Sequence, residues 1–148
     1  MRNRLARIGD VAADAAAVTA VRALVVGSAT GVVGGLGTFM VGNGEAFPLP
    51  ESAWLALVPV ALAGLYTHWL ARDLRESFAA ASVAFVVGCL VCIGAWLYPV
   101  YAMGYTGFLA ELAGAPRLRD AVVDVFSVYL LLFGASYLAA ITIDGLRE

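Results

Sequence analysis

Hydrophobic positions gather into four long runs, about Ala23–Val41, Ala53–Leu70, Phe78–Tyr98 and Ala121–Ile143, and the stretches between them carry nearly all of the charge. Each run approaches the roughly 20 apolar residues an α-helix needs to cross the hydrocarbon core of a bilayer. Backbone groups in hydrocarbon must find partners inside their own segment, so these runs predict helices. The connections differ in character. Gly42–Ser52 has loop chemistry throughout, and Ser52 stands where it can cap the second helix. Arg72–Glu76 is a tight charged turn, whereas Tyr101–Arg119 is the longest connection. Within it, Phe108, Leu109 and Leu112 suit a short helix lying in the membrane interface. The pattern therefore predicts an all-α fold: an integral membrane four-helix bundle forming one transmembrane domain over residues 1–148.

Arginine placement orients the bundle. With the N-terminus in the cytoplasm, the inner side holds Arg2, Arg4, Arg7, Arg22, Arg72, Arg75 and Arg147, and the outer side holds Arg117 and Arg119. Seven against two places both termini in the cytoplasm of a multi-pass plasma membrane protein. Trp54, Trp96, Tyr98 and Tyr101 then collect at the outer interface, and Tyr66 and Trp69 at the inner one, as aromatic belts do. The arginines near the N-terminus lie far from the first apolar run, which ends without a small-residue cleavage site. That run reads as a retained span and not a removed signal.

Small residues recur every four positions within the runs. Gly27, Gly31 and Gly35 fall on one stripe of the first helix, which continues through Thr38 and Gly42. The third helix carries Ala80, Ala84, Gly88 and Cys92 in the same spacing, and the fourth carries Ala135 with Ala139 and Ser136 with Ala140. Such ridges let helix backbones approach closely, either inside one bundle or against a second copy or a partner membrane protein. The halves also invite comparison. Ala23–Gly27 reads like Ala84–Gly88, and Leu74–Glu76 like Leu146–Glu148, as two tandem transmembrane hairpins from a duplication would.

Composition adds exclusions. The chain is 62% hydrophobic and 14% charged, with a net charge of -2, which leaves no basic field for nucleic acid. All nine basic residues are Arg, and with the Ala, Val and Gly richness this hints at a GC-rich prokaryotic genome. Cys89 and Cys92 are too close on one helix to staple a fold. A CxxC pair also occurs in membrane thiol oxidoreductases, but this chain lacks the second cysteine pair that relays to a substrate. Cys92 moreover extends the small-residue ridge, where free cysteine acts as a small hydrophobe.

Asp120, Asp124 and Ser127 share a face at the start of the fourth run, close to Arg117 and Arg119. They suit an interfacial cap, or the outer entry of a small channel or carrier for cations or protons. His68 is the only histidine and has no second metal ligand within helical reach, so no metal or cofactor is expected. It lies at the inner end, while the deepest Asp lies near the outer one, so no Ser/His/Asp constellation is expected either. Pro59 can bend the second helix. No nucleotide-binding fingerprint is present. The leading expectation is a non-enzymatic structural or accessory membrane subunit, with transport and thiol chemistry as alternatives.

Overall fold

The computed structural model describes residues 2–44 and 53–147, with side chains from 16 to 44 and from 54 onward. The expected Ser52 cap and the side chains of Arg2, Arg4 and Arg7 lie outside the described residues. The fold is all-helical. α1 spans Arg2–Gly42, α2 Leu57–Trp69 after a single 3-10 turn at Ala53–Ala56, and α3 Leu74–Ala102. α4 (Phe108–Asp124), a π-helical segment (Val125–Phe133) and α5 (Gly134–Gly145) follow one another without a break. Among the described residues, three stretches are long and apolar enough to cross a membrane: Ala16–Gly42, Leu74–Ala102 and Phe108–Gly145. The second predicted run forms the shorter apolar helix Trp54–Trp69.

Two boundaries differ from the sequence expectation. α1 begins about twenty residues before the first apolar run, because its alanine-rich lead has high helix propensity and contains no proline. The connection expected at Tyr101–Arg119 shrinks to 103–107, where Gly104 and Gly107 adopt positive φ. Phe108, Leu109 and Leu112 do form helix, but as the first turns of the long final one. Pro116 is accommodated inside it.

The helices run alternately up and down, and the contacts fix their register. Thr30 meets Thr67, Gly34 meets Ala63, and Gly37 meets Val60, so α1 and α2 are antiparallel. Gly27, Gly31 and Gly35 lie against Ala80, Ala84 and Gly88, so α1 and α3 are parallel. A Cβ at any of these three glycines would collide with a carbonyl oxygen of α3. The hydrogen occupying that position points at the oxygen instead, the geometry of a Cα–H···O contact worth perhaps 0.5–1 kcal/mol. The stripe and the Ala80–Cys92 ridge are thus two halves of one interface, with Ala80, Ala84 and Cys92 fully buried.

α1 turns a second glycine face toward the rest of the bundle. Gly34 makes room for the Tyr129 ring, and Gly88 of α3 does so from the other side. Tyr129 is fully buried among Val60, Ala63, Ala84 and Phe133, with Phe85 stacked on it at 6.0 Å. Its hydroxyl donates to the Ala84 carbonyl at 2.6 Å, so the buried phenol oxygen is satisfied.

The last helix buries Ala121, Val125, Tyr129, Phe133 and Tyr137, every fourth residue. An α-helix repeats after 3.6 residues, so a four-residue stripe drifts around its axis. The wider i→i+5 turn of the π segment turns the stripe back, and Tyr129, Phe133 and Tyr137 stay on the bundle side.

The register also bears on the proposed duplication. Gly27 is level with Ala80 and Gly88 with Gly35, so the two matched pentapeptides end about 12 Å apart along parallel helices. A repeat about an axis along the bundle would set them level. The register gives the pentapeptide match no support.

Candidate functional site

Polar side chains collect at the end of the bundle where α1 enters it, around the turn from α2 to α3. α2 ends at Trp69 and leaves its last carbonyls without helical partners. The Arg22 guanidinium of α1 donates from Nη2 to the Leu70 carbonyl at 2.8 Å. Asp73 caps α3 by accepting from the Glu76 backbone N–H at 2.7 Å. The spacing Asp73-x-x-Glu76 is that of a capping box, but the Glu76 side chain turns inward instead of back to the cap. There Glu76, 2% exposed, pairs with Arg22 Nε at 2.8 Å. A carboxylate so buried would be costly without that partner.

The next residue, Ser77, is fully buried and shares hydrogen bonds with His68 Nδ1 (2.9 Å) and the Tyr137 hydroxyl (3.0 Å). His68 Nε2 faces Asp144 Oδ2 at 3.5 Å. One assignment satisfies every group: Tyr137 donates to Ser77, Ser77 donates to Nδ1, and Nε2–H is directed at Asp144. This chain ties α2, α3 and α5 together. Beside it, Thr67 donates to the Thr30 hydroxyl at 2.9 Å and links α2 to α1.

The expectation that no Ser, His and Asp come together is corrected here. Asp120 and Asp124 stand at the other end, but α5 delivers Asp144 to the His68 end. Chemically, the row differs from a hydrolytic triad. Ser77 Oγ is sealed beneath Tyr137 and bonded to it, so it offers no exposed nucleophile, and each imidazole nitrogen faces the opposite partner from the usual one.

Outside this chain, a pocket of about 730 Å³ opens between the α2–α3 turn and the end of α5. His68 and Asp144 border it, together with Trp69, Arg72, Asp73 and Arg147.

The residues singled out from the sequence lie elsewhere. Asp124 is half-buried at the opposite end, where Oδ2 accepts from Trp96 Nε1 at 3.1 Å and the carboxylate packs against Gly42. Trp96, expected in an aromatic belt, is half-buried and packs edge-on against Phe39 at 5.8 Å. Asp120 is exposed. Ser127 is exposed too, with its hydroxyl bonded back to the Val123 carbonyl at 2.6 Å. Asp120 lies one helical turn before Asp124 on α4, close enough for the two charges to interact. Cys89 and Cys92 are both free thiols, and Cys92 is fully enclosed. Among the described residues, no group of three or more His, Cys, Asp or Glu could hold a metal ion.

Sequence reasoning missed Arg22, Glu76, Ser77, Tyr137 and Asp144 as a group. Two signals were available: the capping-box spacing at Asp73, and the shared location of His68 and Asp144 at the ends of helices that terminate on the same side. No protein-family model matches the chain, and no curated protein or solved structure matches it either.

Proposed function

We propose that the chain is a multi-pass plasma membrane protein, crossing four times with both termini in the cytoplasm, and that it serves as a non-enzymatic structural or accessory subunit. One observation carries the membrane part: large apolar side chains are exposed along every helix while several polar ones are enclosed. Val25, Leu90 and Leu131 are each about 64–65% exposed, while Thr38, Thr67 and Ser77 are fully enclosed and Glu76 is 2% exposed. In water, an exterior so apolar over every helix would associate nonspecifically. In lipid it is the ordinary surface, and the buried hydroxyls and ion pair are the expected interior.

The accessory reading is supported by how the small-residue ridges are used. The Gly27–Gly35 stripe and the Ala80–Cys92 ridge are committed to contacts inside the chain, whereas Ala135 and Ala139 of the last helix are exposed, so a partner or a second copy would meet the exterior faces of the helices. Reporter fusions after Gly44, Gly104 and Arg147 test the topology: the first two should report the outer side and the last the cytoplasm. Native mass spectrometry from mild detergent tests the role. A co-purifying partner or defined oligomer is expected, and a strictly monomeric, partnerless chain counts against it.

A further inference from the structure

We infer that the pocket at the His68 end binds a phosphate-bearing anion, through the guanidinium groups of Arg72 and Arg147. The inference rests on the membrane reading only for the source of that anion, a phospholipid headgroup at the cytoplasmic surface.

Four charged side chains line the pocket: Arg72, Asp73, Asp144 and Arg147. Asp73 accepts the Glu76 N–H as the cap of α3, and Asp144 faces His68. Arg72 and Arg147 have no ion-pair partner among the described residues. The two cations are therefore what the pocket offers a ligand. A guanidinium presents its donors as a planar fork matched to phosphate oxygens, and two of them on opposite walls can hold one phosphate from both sides. α3 also begins at this wall, and the positive end of its dipole favours an anion there.

Size and surroundings fit the same ligand. A volume of about 730 Å³ lies within the roughly 300–1,000 Å³ of small-molecule sites, ample for a phosphodiester headgroup. Trp69, half exposed at the rim, is the side chain that typically sits at headgroup depth. Leu146, the most exposed large apolar residue described, follows α5 beside Arg147 and can enter the acyl boundary while the arginine stays at the phosphates.

The test uses the full-length protein in mild detergent. Thermal stability is followed while titrating short-chain phosphatidylglycerol, short-chain phosphatidylcholine or inorganic phosphate, for the wild type, the Arg72→Gln/Arg147→Gln double variant and Arg75→Gln. Arg75 shares the turn but does not line the pocket. Saturable stabilisation by phosphatidylglycerol is expected. The double variant should bind about twenty-five-fold more weakly, a fivefold factor for each basic residue removed from an anionic surface, and Arg75→Gln should match wild type. Equal stabilisation by inorganic phosphate keeps the site and makes the free anion its ligand. No saturable effect of either, or titrations unchanged by the double variant, overturns the inference. Both arginines are exposed, and the single variants Arg72→Gln and Arg147→Gln, each expected about fivefold weaker, guard against misfolding of the double. Release of the protein from membranes by alkaline carbonate would defeat the membrane reading while leaving the phosphate titration to stand or fall alone.

Discussion

Gly35 of α1 lies directly on the backbone of Gly88 in α3, so that a methyl group on Gly35 would land on the Gly88 carbonyl oxygen. Two turns away the same relation joins Gly27 to Ala80, with Gly31 and Ala84 between them. Apolar burial drives little association between helices in lipid, so this close approach is where the α1–α3 contact draws its stability.

Alanine at Gly35 must push the helices apart or distort one of them. Gly35→Ala should destabilise the protein by about 1–3 kcal/mol, the usual cost of overpacking. Gly94 has open space where a Cβ would stand, so Gly94→Ala should be neutral or should stabilise by up to about 1 kcal/mol through helix propensity. Unfolding in mixed micelles with increasing SDS separates the two. Equal effects at both positions would remove the special standing of the stripe.

Arg22→Leu leaves Glu76 enclosed without its cation. Breaking a buried pair costs about 3–5 kcal/mol, and the Arg22 side chain is 37% exposed, so about 2–3 kcal/mol is expected. Adding Glu76→Leu should recover most of that loss, since apolar replacement of both partners is often nearly neutral. Additive losses in the double variant, measured by the same unfolding assay, would show that the two residues do not act as a pair.

Tyr129→Phe removes the hydroxyl that reaches Ala84 but keeps the ring between Gly34 and Gly88. A loss of about 0.5–1.5 kcal/mol is expected, whereas Tyr129→Ala, which empties the space, should cost about 3–5 kcal/mol. Indistinguishable losses would mean that the ring contributes no packing.

Cys92 should resist maleimide in the folded protein and react fully after denaturation in SDS, because no part of it is exposed. Prompt labelling of the folded protein from the aqueous phase would reopen thiol chemistry at Cys89 and Cys92.

Much of the fold was legible because its period is simple. Residues four apart announce a helix face, so Gly27–Gly31–Gly35 and Ala80–Ala84–Gly88–Cys92 could each be read as a contact surface. A single sequence shows each face but not which face it meets, and the pairing of these two became visible only with the register in hand. The candidate site was less legible for the same reason. Arg22, His68, Glu76, Ser77, Tyr137 and Asp144 come from four helices, and each has an unremarkable local setting. In the sequence Arg22 is one of seven inner-side arginines, and Glu76 is the end of a tight charged turn. Asp120, Asp124 and Ser127 looked like a cluster because they were placed on an α-helical wheel. The π turns that begin at Val125 shift Ser127 on that wheel, and Trp96 donates to Asp124.

The central claim is that the glycine stripe is used within one chain, in a parallel α1–α3 contact. Phe39 and Trp96, whose rings meet at 5.8 Å on those two helices, allow a direct test. Phe39→Cys and Trp96→Cys can be placed in a chain freed of its own thiols by Cys89→Ala and Cys92→Ala, then treated in membranes with a short bifunctional thiosulfonate reagent. The account predicts efficient cross-linking inside single chains carrying both cysteines, with no cross-linked dimer when the two single-cysteine chains are mixed. A dimer from that mixture, or no cross-link in the doubly substituted chain, would contradict it.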